Sequence, residues 1–145
     1  MIRLFNRQKQ HPIPLKKLQT TLEPLPGLLR RSWPRNLNTV EILFVSPNVS
    51  ARVHRDFFQD PSPTDVMTFE HGEILICPAI AARQRHLEGL SLPDELLTYA
   101  IHGILHLCGY DDLQPKDYTR MSRAQTRLRH RLLALNKTKI SNFPN

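Results

Sequence analysis

A chain of 145 residues, 40% of them hydrophobic, suits one ordinary domain with a single core and little apolar surface to spare. No apolar stretch approaches the roughly 20 residues that a membrane-spanning helix needs, and Met1-Ile-Arg-Leu-Phe-Asn-Arg lacks the apolar centre and cleavage site of a secretory signal, so the expected location is the cytoplasm. The 20 Lys and Arg against 13 Asp and Glu leave a net charge of +7, which disfavours cationic partners and favours anionic ones, nucleic acid first.

Residues 1–12 have no clear period and read as an irregular arm or a short edge strand. From Pro14 onward, leucines at 15, 18, 22 and 25 keep helical spacing, and Pro24, Pro26 and Gly27 end that run. Residues 30–38 form a basic loop with Arg30, Arg31 and Arg35 around Trp33; the indole is expected to pack under the loop rather than to stack on RNA. Residues 39–46 are β-rich and predict a strand. Ser46-Pro47-Asn48 is a helix-start signal, and a helix to about Phe58 carries Val49, Val53 and Phe57 on one side. After a loop at 60–63, residues 64–70 and 72–77 are strand-like and can pair as a hairpin around His71-Gly72. Pro78 through Glu88 reads as a helix ended by Gly89.

The next helix is the informative one. Ser91 can cap it, Pro93 sits in its first turn, and Asp94 and Glu95 suit its positive end. Leu96, Leu97, Ala100, Ile101, Ile104, Leu105 and Leu107 make it apolar almost all round, which predicts burial. His102 and His106 lie four residues apart in that run, so both imidazoles share a face, one turn apart. Gly109 suits the left-handed turn that ends a helix, and a chain doubling back there can return Asp112 to the histidines. A lone His in an apolar helix is ordinarily a core residue with hydrogen-bonded ring nitrogens. Two at this spacing, then a Gly stop and a carboxylate, suit a divalent transition metal, zinc first, with one coordination position open. Where a His-Glu-x-x-His peptidase carries its general base, this chain has Gly103. Metal-assisted hydrolysis is expected, but not of the ordinary peptide-cleaving kind.

Cys77 and Cys108 sit in apolar contexts and are expected to be free, buried thiols; Cys108, two residues beyond His106, points away from the shared face and is a poor ligand. A last helix runs from Pro115 to about Leu135, with Met121, Ala124, Leu128, Leu132 and Leu135 inward. Arg120, Arg123, Arg127, Arg129, His130 and Arg131 around the rest make either a solvated face or a phosphate-binding one. Residues 136–145 are expected to fray.

His-Gly-Ile-Leu-His-Leu-Cys-Gly-Tyr-Asp at 102–111 resembles the signature of the YbeY family, metal-dependent endoribonucleases of bacterial ribosome maturation, in which the pattern closes on a third His. Here that last position is Asp112. Pro63-Thr64-Asp65-Val66-Met67-Thr68-Phe69 is similar to the family's Pro-Thr-Asp-Val-Leu-Ser-Phe, and Gly72-Glu73-Ile74-Leu75-Ile76 to its Gly-Asp-Ile-x-Ile strand. The three lie in the family's order and cover about residues 40–125.

The resemblance implies an α+β fold in one domain over 1–145: a small mixed β-sheet of about four strands, helices on its faces, and a central buried helix carrying the metal ligands. It implies a single-strand-specific endoribonuclease of 16S ribosomal RNA 3′-end maturation and ribosome quality control, with ribosomal RNA and the small ribosomal subunit as partners. The ligands to one Zn2+ are then His102, His106 and Asp112. A hard oxygen donor in place of imidazole widens the choice toward Mn2+ or Ni2+ and makes the ion a slightly weaker Lewis acid. Asp111 is the neighbouring option for the same ligand role, but it aligns with the family's own Asp and is expected instead to orient a ligand or cap the turn. The arginine thought to meet the RNA phosphate falls, without gaps, on Phe58; Arg55, three residues earlier on nearly the same face, is the candidate catalytic residue. Thr64 and Asp65 either line the cleft or simply open a strand, His71 and His86 are expected at the surface, and His54 is left open. Two rivals stand beside this reading. One is a metal-dependent peptide or amide hydrolase using a carboxylate such as Glu73 or Glu95; the other is a non-catalytic ribosome-assembly factor with a structural metal.

Overall fold

A computed structural model describes residues 1–60, 62, 64–84 and 90–141, with side chains to residue 137. The elements follow in the order β1 (Ile2–Asn6), α1 (Leu15–Leu22), α2 (Leu25–Leu28), β2 (Val40–Phe44), α3 (Pro47–Phe58), β3 (Val66–Phe69), β4 (Glu73–Ile76), α4 (Pro78–Arg83), α5 (Leu92–Leu107) and α6 (Pro115–Ser141). The strands form one mixed sheet in the order β1-β2-β4-β3, parallel except where β3 and β4 pair as an antiparallel hairpin. The expected α+β fold with a four-stranded mixed sheet is what forms.

Alternation along the strands sorts the core into two layers. Leu4 lies opposite Ile42, Ile42 opposite Ile74, and Phe44 opposite Ile76; these side chains enter the main core with leucines of α1, α5 and α6. Leu75 and its cross-strand partner Met67 form the second layer, with Val49 and Val53 of α3 and Ala79 and Ile80 of α4. Helices therefore cover both faces of the sheet.

Helix α5 is the centre of this arrangement. The Ser91 hydroxyl accepts a hydrogen bond from the Asp94 N–H at 3.3 Å, and Asp94 and Glu95 occupy the first turn. Leu96, Leu97, Ala100, Ile101, Ile104 and Leu105 are buried and Leu107 is half-buried, and the helix packs on β3 and β4 and against α1, α4 and α6. Gly103 faces the sheet at the closest approach. A Cβ there would lie 2.9 Å from both Cδ1 and Cγ2 of Ile74 and 3.1 Å from the Thr68 hydroxyl oxygen. Glycine lets the helix settle onto the strands, and this places His102 and His106 beside the β3 edge.

Several local expectations are modified. Pro24 ends α1 as expected, yet Pro24 and Pro26 then open the four-residue α2, because a proline costs a first helical turn no hydrogen bond. Phe57 is 68% exposed rather than inward with Val49 and Val53. Each four-residue step advances the stripe by about 40° round the axis, and two steps carry it past the sheet edge. Helix α6 continues to Ser141, past the expected end near Leu135, since residues 136–141 hold no Gly or Pro. Trp33 packs against the main core, with its indole N–H donating to the Leu37 carbonyl at 2.9 Å. Residues 85–89, with His86 and the expected helix stop Gly89, lie outside the described residues, as do Pro63 and 142–145. Among the described residues no helix is long and apolar enough to cross a membrane.

Candidate metal centre

The last turn of α5 and the bend after it build the centre. The rings of His102 and His106 meet edge-on with centroids 4.6 Å apart, and their Nε2 atoms approach to 3.0 Å. Beyond Leu107 the chain passes through Gly109 at φ +95°, and the Tyr110 N–H returns to the Leu105 carbonyl at 3.0 Å. Only a left-handed residue permits that return without strain, which is the role of glycine at this position. Folded back in this way, Asp112 brings Oδ2 to 3.8 Å from His102 Nε2 and 3.9 Å from His106 Nε2. Asp111 instead accepts from the Leu113 N–H at 3.3 Å and caps the bend. Among the described residues, His102, His106 and Asp112 are the group of imidazoles, thiols and carboxylates close enough to share one ion.

The outer nitrogens fix the inner ones. His102 Nδ1 lies 2.5 Å from Gln125 Oε1 on α6, and His106 Nδ1 lies 3.1 Å from the Tyr110 carbonyl. Both partners are acceptors, so both Nδ1 atoms carry the proton and donate, leaving each Nε2 with a bare lone pair. Two lone pairs at 3.0 Å, with a carboxylate under 4 Å away, repel one another unless positive charge lies between them. Burial, above all, pushes the His102 imidazole below its ordinary pKa, and the neighbouring His106 pushes the same way, against the Gln125 bond and the charges of Asp112 and Asp65. A tetrahedral zinc site with bonds of about 2.0–2.1 Å separates its ligand atoms by roughly 3.3 Å, and the three gaps here bracket that spacing. Donor set and dimensions thus fit a divalent ion.

Gln125 has no signal in the sequence. It lies 23 positions beyond His102 on another helix, and nothing in its own neighbourhood marks it. Its truncation carries a definite expectation. Gln125→Ala should weaken metal affinity by about 10–100-fold, and Gln125→Glu, which keeps an acceptor, should lose less. Competition against a chromophoric chelator measures both.

Two hollows flank the histidine pair. A cavity of about 300 Å³ is lined by Asp65, Glu95, Tyr99, His102, Asp112 and Gln125, among others. Its carboxylates favour a cation; Tyr99 donates to Asp65, and burial followed by the charges of Asp65 and Glu95 pushes its hydroxyl far above the usual phenol range. The second hollow, about 570 Å³, is an open groove whose walls include His54, Phe58, Thr64, Thr68, His102 and His106. The side chains of His102, His106 and Asp112 are 23%, 30% and 37% exposed, so the centre is sheltered yet reachable from solvent.

Other sequence candidates fall as follows. Arg55 is exposed on α3 with its guanidinium on Asp56 at 3.2 Å; His54 and Phe58, rather than Arg55, line the groove from that helix. Glu95 is 3% exposed and lines the acid-walled cavity, whereas Glu73 opens β4 between Glu41 and Phe69. Thr64 faces the groove and Asp65 the cavity. Both cysteines are free, their thiols raised chiefly by burial; Cys108 caps α5 and packs on the main core. His71 is exposed and stacks on Phe69.

The sequence model of the family described as Endoribonuclease YbeY matches residues 3–133. Among curated relatives, the Endoribonuclease YbeY of Kineococcus radiotolerans is 34% identical over 109 residues, 63% of each chain. That of Protochlamydia amoebophila is 35% identical over 99 residues, 61% of this chain and 66% of its own. The chain therefore spans a little under two thirds of the length of these relatives. A Thermotoga maritima protein solved in solution superposes with a TM-score of 0.68 at 28% identity, covering 100% of this chain and 97% of the other. With the histidine signature placed at the end of α5 and the family model running from β1 into α6, the chain belongs to the endoribonuclease YbeY family.

Proposed function

We propose that this protein is a metal-dependent endoribonuclease that hydrolyses phosphodiester bonds in single-stranded ribosomal RNA. Its place is in 3′-end maturation of 16S ribosomal RNA and in ribosome quality control, on the small subunit in the cytoplasm. His102, His106 and Asp112 are assigned to one Zn2+, with Mn2+ or Ni2+ as alternatives. The observation that carries the reading is the pair of bare Nε2 atoms 3.0 Å apart beside Asp112, at the foot of an open groove.

A divalent ion held by His102, His106 and Asp112 would supply Lewis-acid chemistry for phosphodiester hydrolysis. The protein's own residues do the rest. Gln125 Oε1 and the Tyr110 carbonyl accept from the two Nδ1–H groups and hold the rings in one tautomer and orientation. Asp112 adds the negative charge that an imidazole would not. Asp65 and Glu95 line the adjoining cavity. Arg55, exposed on α3, is assigned to an RNA phosphate, and the net charge of +7 draws the polyanion in.

Glu95 favours a second reading, amide hydrolysis, because it is a buried carboxylate on the wall that also bears His102. Single-stranded RNA and a peptide panel, each offered after chelation and after metal add-back, separate the two. The expected result is RNA cleavage that chelation abolishes and zinc or manganese restores. Peptide cleavage alone would establish the amide reading, and a protein that melts on chelation yet cuts neither substrate would be an assembly factor with a structural ion.

A further inference from the structure

Helix α3 carries His54, Phe57 and Phe58 at i, i+3 and i+4, so the three rings crowd one side of its last turn. Phe57 is 68% and Phe58 52% exposed, an unusual expense of large apolar surface in a chain with few aromatics. They are not isolated. Phe58 lies 5.5 Å from His54 and 6.1 Å from Phe69, Phe57 meets Phe69 edge-on at 5.2 Å, and Phe69 stacks on His71 at 5.8 Å. The result is a continuous row of rings from the end of α3 across β3 to the hairpin turn. His54 is held in place by its Nδ1–H, which donates to the Ser62 carbonyl at 2.8 Å.

We propose that this row is a stacking shelf for the unpaired bases of single-stranded RNA, its His54 and Phe58 end lining the groove that ends at His102 and His106. The proposal rests on the endoribonuclease reading and adds how the strand is gripped. Three observations select RNA over other occupants. Phe58 and His54 line the same groove as the histidine pair, so whatever lies on the shelf continues to the centre. Every base has a π-face and stacks on exposed aromatic rings whatever its sequence. Arg52 and Arg55 stand exposed on the same helix, which suits a polyanion and sets like charges against each other if a second copy docks there.

The test is binding of a fluorescein-labelled, single-stranded RNA of about ten nucleotides to the full chain with chelator present, so that nothing is cut. Phe58→Ala should weaken binding by about tenfold, and Phe57→Ala with Phe58→Ala by up to about a hundredfold. Phe58→Trp should bind at least as tightly as wild type and lose emission as RNA is added. Because stacking removes no ion pair, the salt dependence should keep its slope, whereas loss of one phosphate contact would flatten it by about 0.7. A double variant that binds within twofold of wild type would overturn the shelf alone. So would a flattened slope in Phe58→Ala, or loss of self-association in place of RNA affinity. Wild-type protein that neither binds nor cuts single-stranded RNA would overturn the endoribonuclease reading itself.

Discussion

His106→Ala is expected to abolish RNA cleavage and to leave the purified protein without its ion. The loss should far exceed the roughly 10–100-fold of a change behind a ligand, because a proposed direct ligand disappears. Elemental analysis should fall from about one ion per chain to near zero, with cleavage at background at any metal supplement. The fold should survive. The His106 side chain is 30% exposed, and its removal takes away one of the two lone pairs that oppose each other at 3.0 Å, so metal-free variant and metal-free wild type should melt within a few degrees of each other. RNA affinity measured with chelator should be close to wild type. Full metal content in the variant would mean that the three side chains do not hold the ion, whatever their proximity.

Gly103→Glu, which would complete a peptidase-like His-Glu-x-x-His motif, is expected to unfold the domain rather than to create a peptidase. Position 103 points at the sheet, not at the histidine face, and even a Cβ there sits 2.9 Å from a fully buried Ile74. Beyond that Cβ, a glutamate adds two more carbons, two oxygens and a charge in a dry interior. The cost should exceed about 4 kcal/mol, a large part of the 5–15 kcal/mol that ordinarily separates folded from unfolded chains. Gly103→Ala is the graded control: overpacking of about 1–3 kcal/mol, offset by about 1 kcal/mol of helix propensity, should leave a folded but weaker protein. Urea titrations followed by circular dichroism measure both. A stable Gly103→Glu protein would show that α5 can rise off the strands, and that close packing on Ile74 does not require the glycine.

That position also marks the boundary of what the sequence makes legible. The chain shows that 103 lacks a base; the cause, a helix pressed onto Ile74 and Thr68, appears only once β3 and β4 lie beneath it. Features encoded within one turn of a helix read cleanly. Ser91, Pro93 and the two acids mark the start of α5, four-residue spacing pairs the histidines, and Gly109 turns the chain so that Asp112 comes back. Features that depend on two elements meeting do not. Gln125 reaches His102 because α6 lies along α5, and no pattern among the surrounding arginines singles it out. The exposure of Phe57 is hidden in the same way, since periodicity sets its direction from α3 but not where the sheet stops.

The three proposed ligands fall within ten positions of one another, 102 to 112, and are joined by one helical turn and one bend. Proximity of that kind is settled by short loop closures. An ion can therefore find its donors on a nascent chain before the carboxy-terminal helix has been made. The glutamine arrives last, with that helix, and its docking would convert a provisional capture into a lasting one.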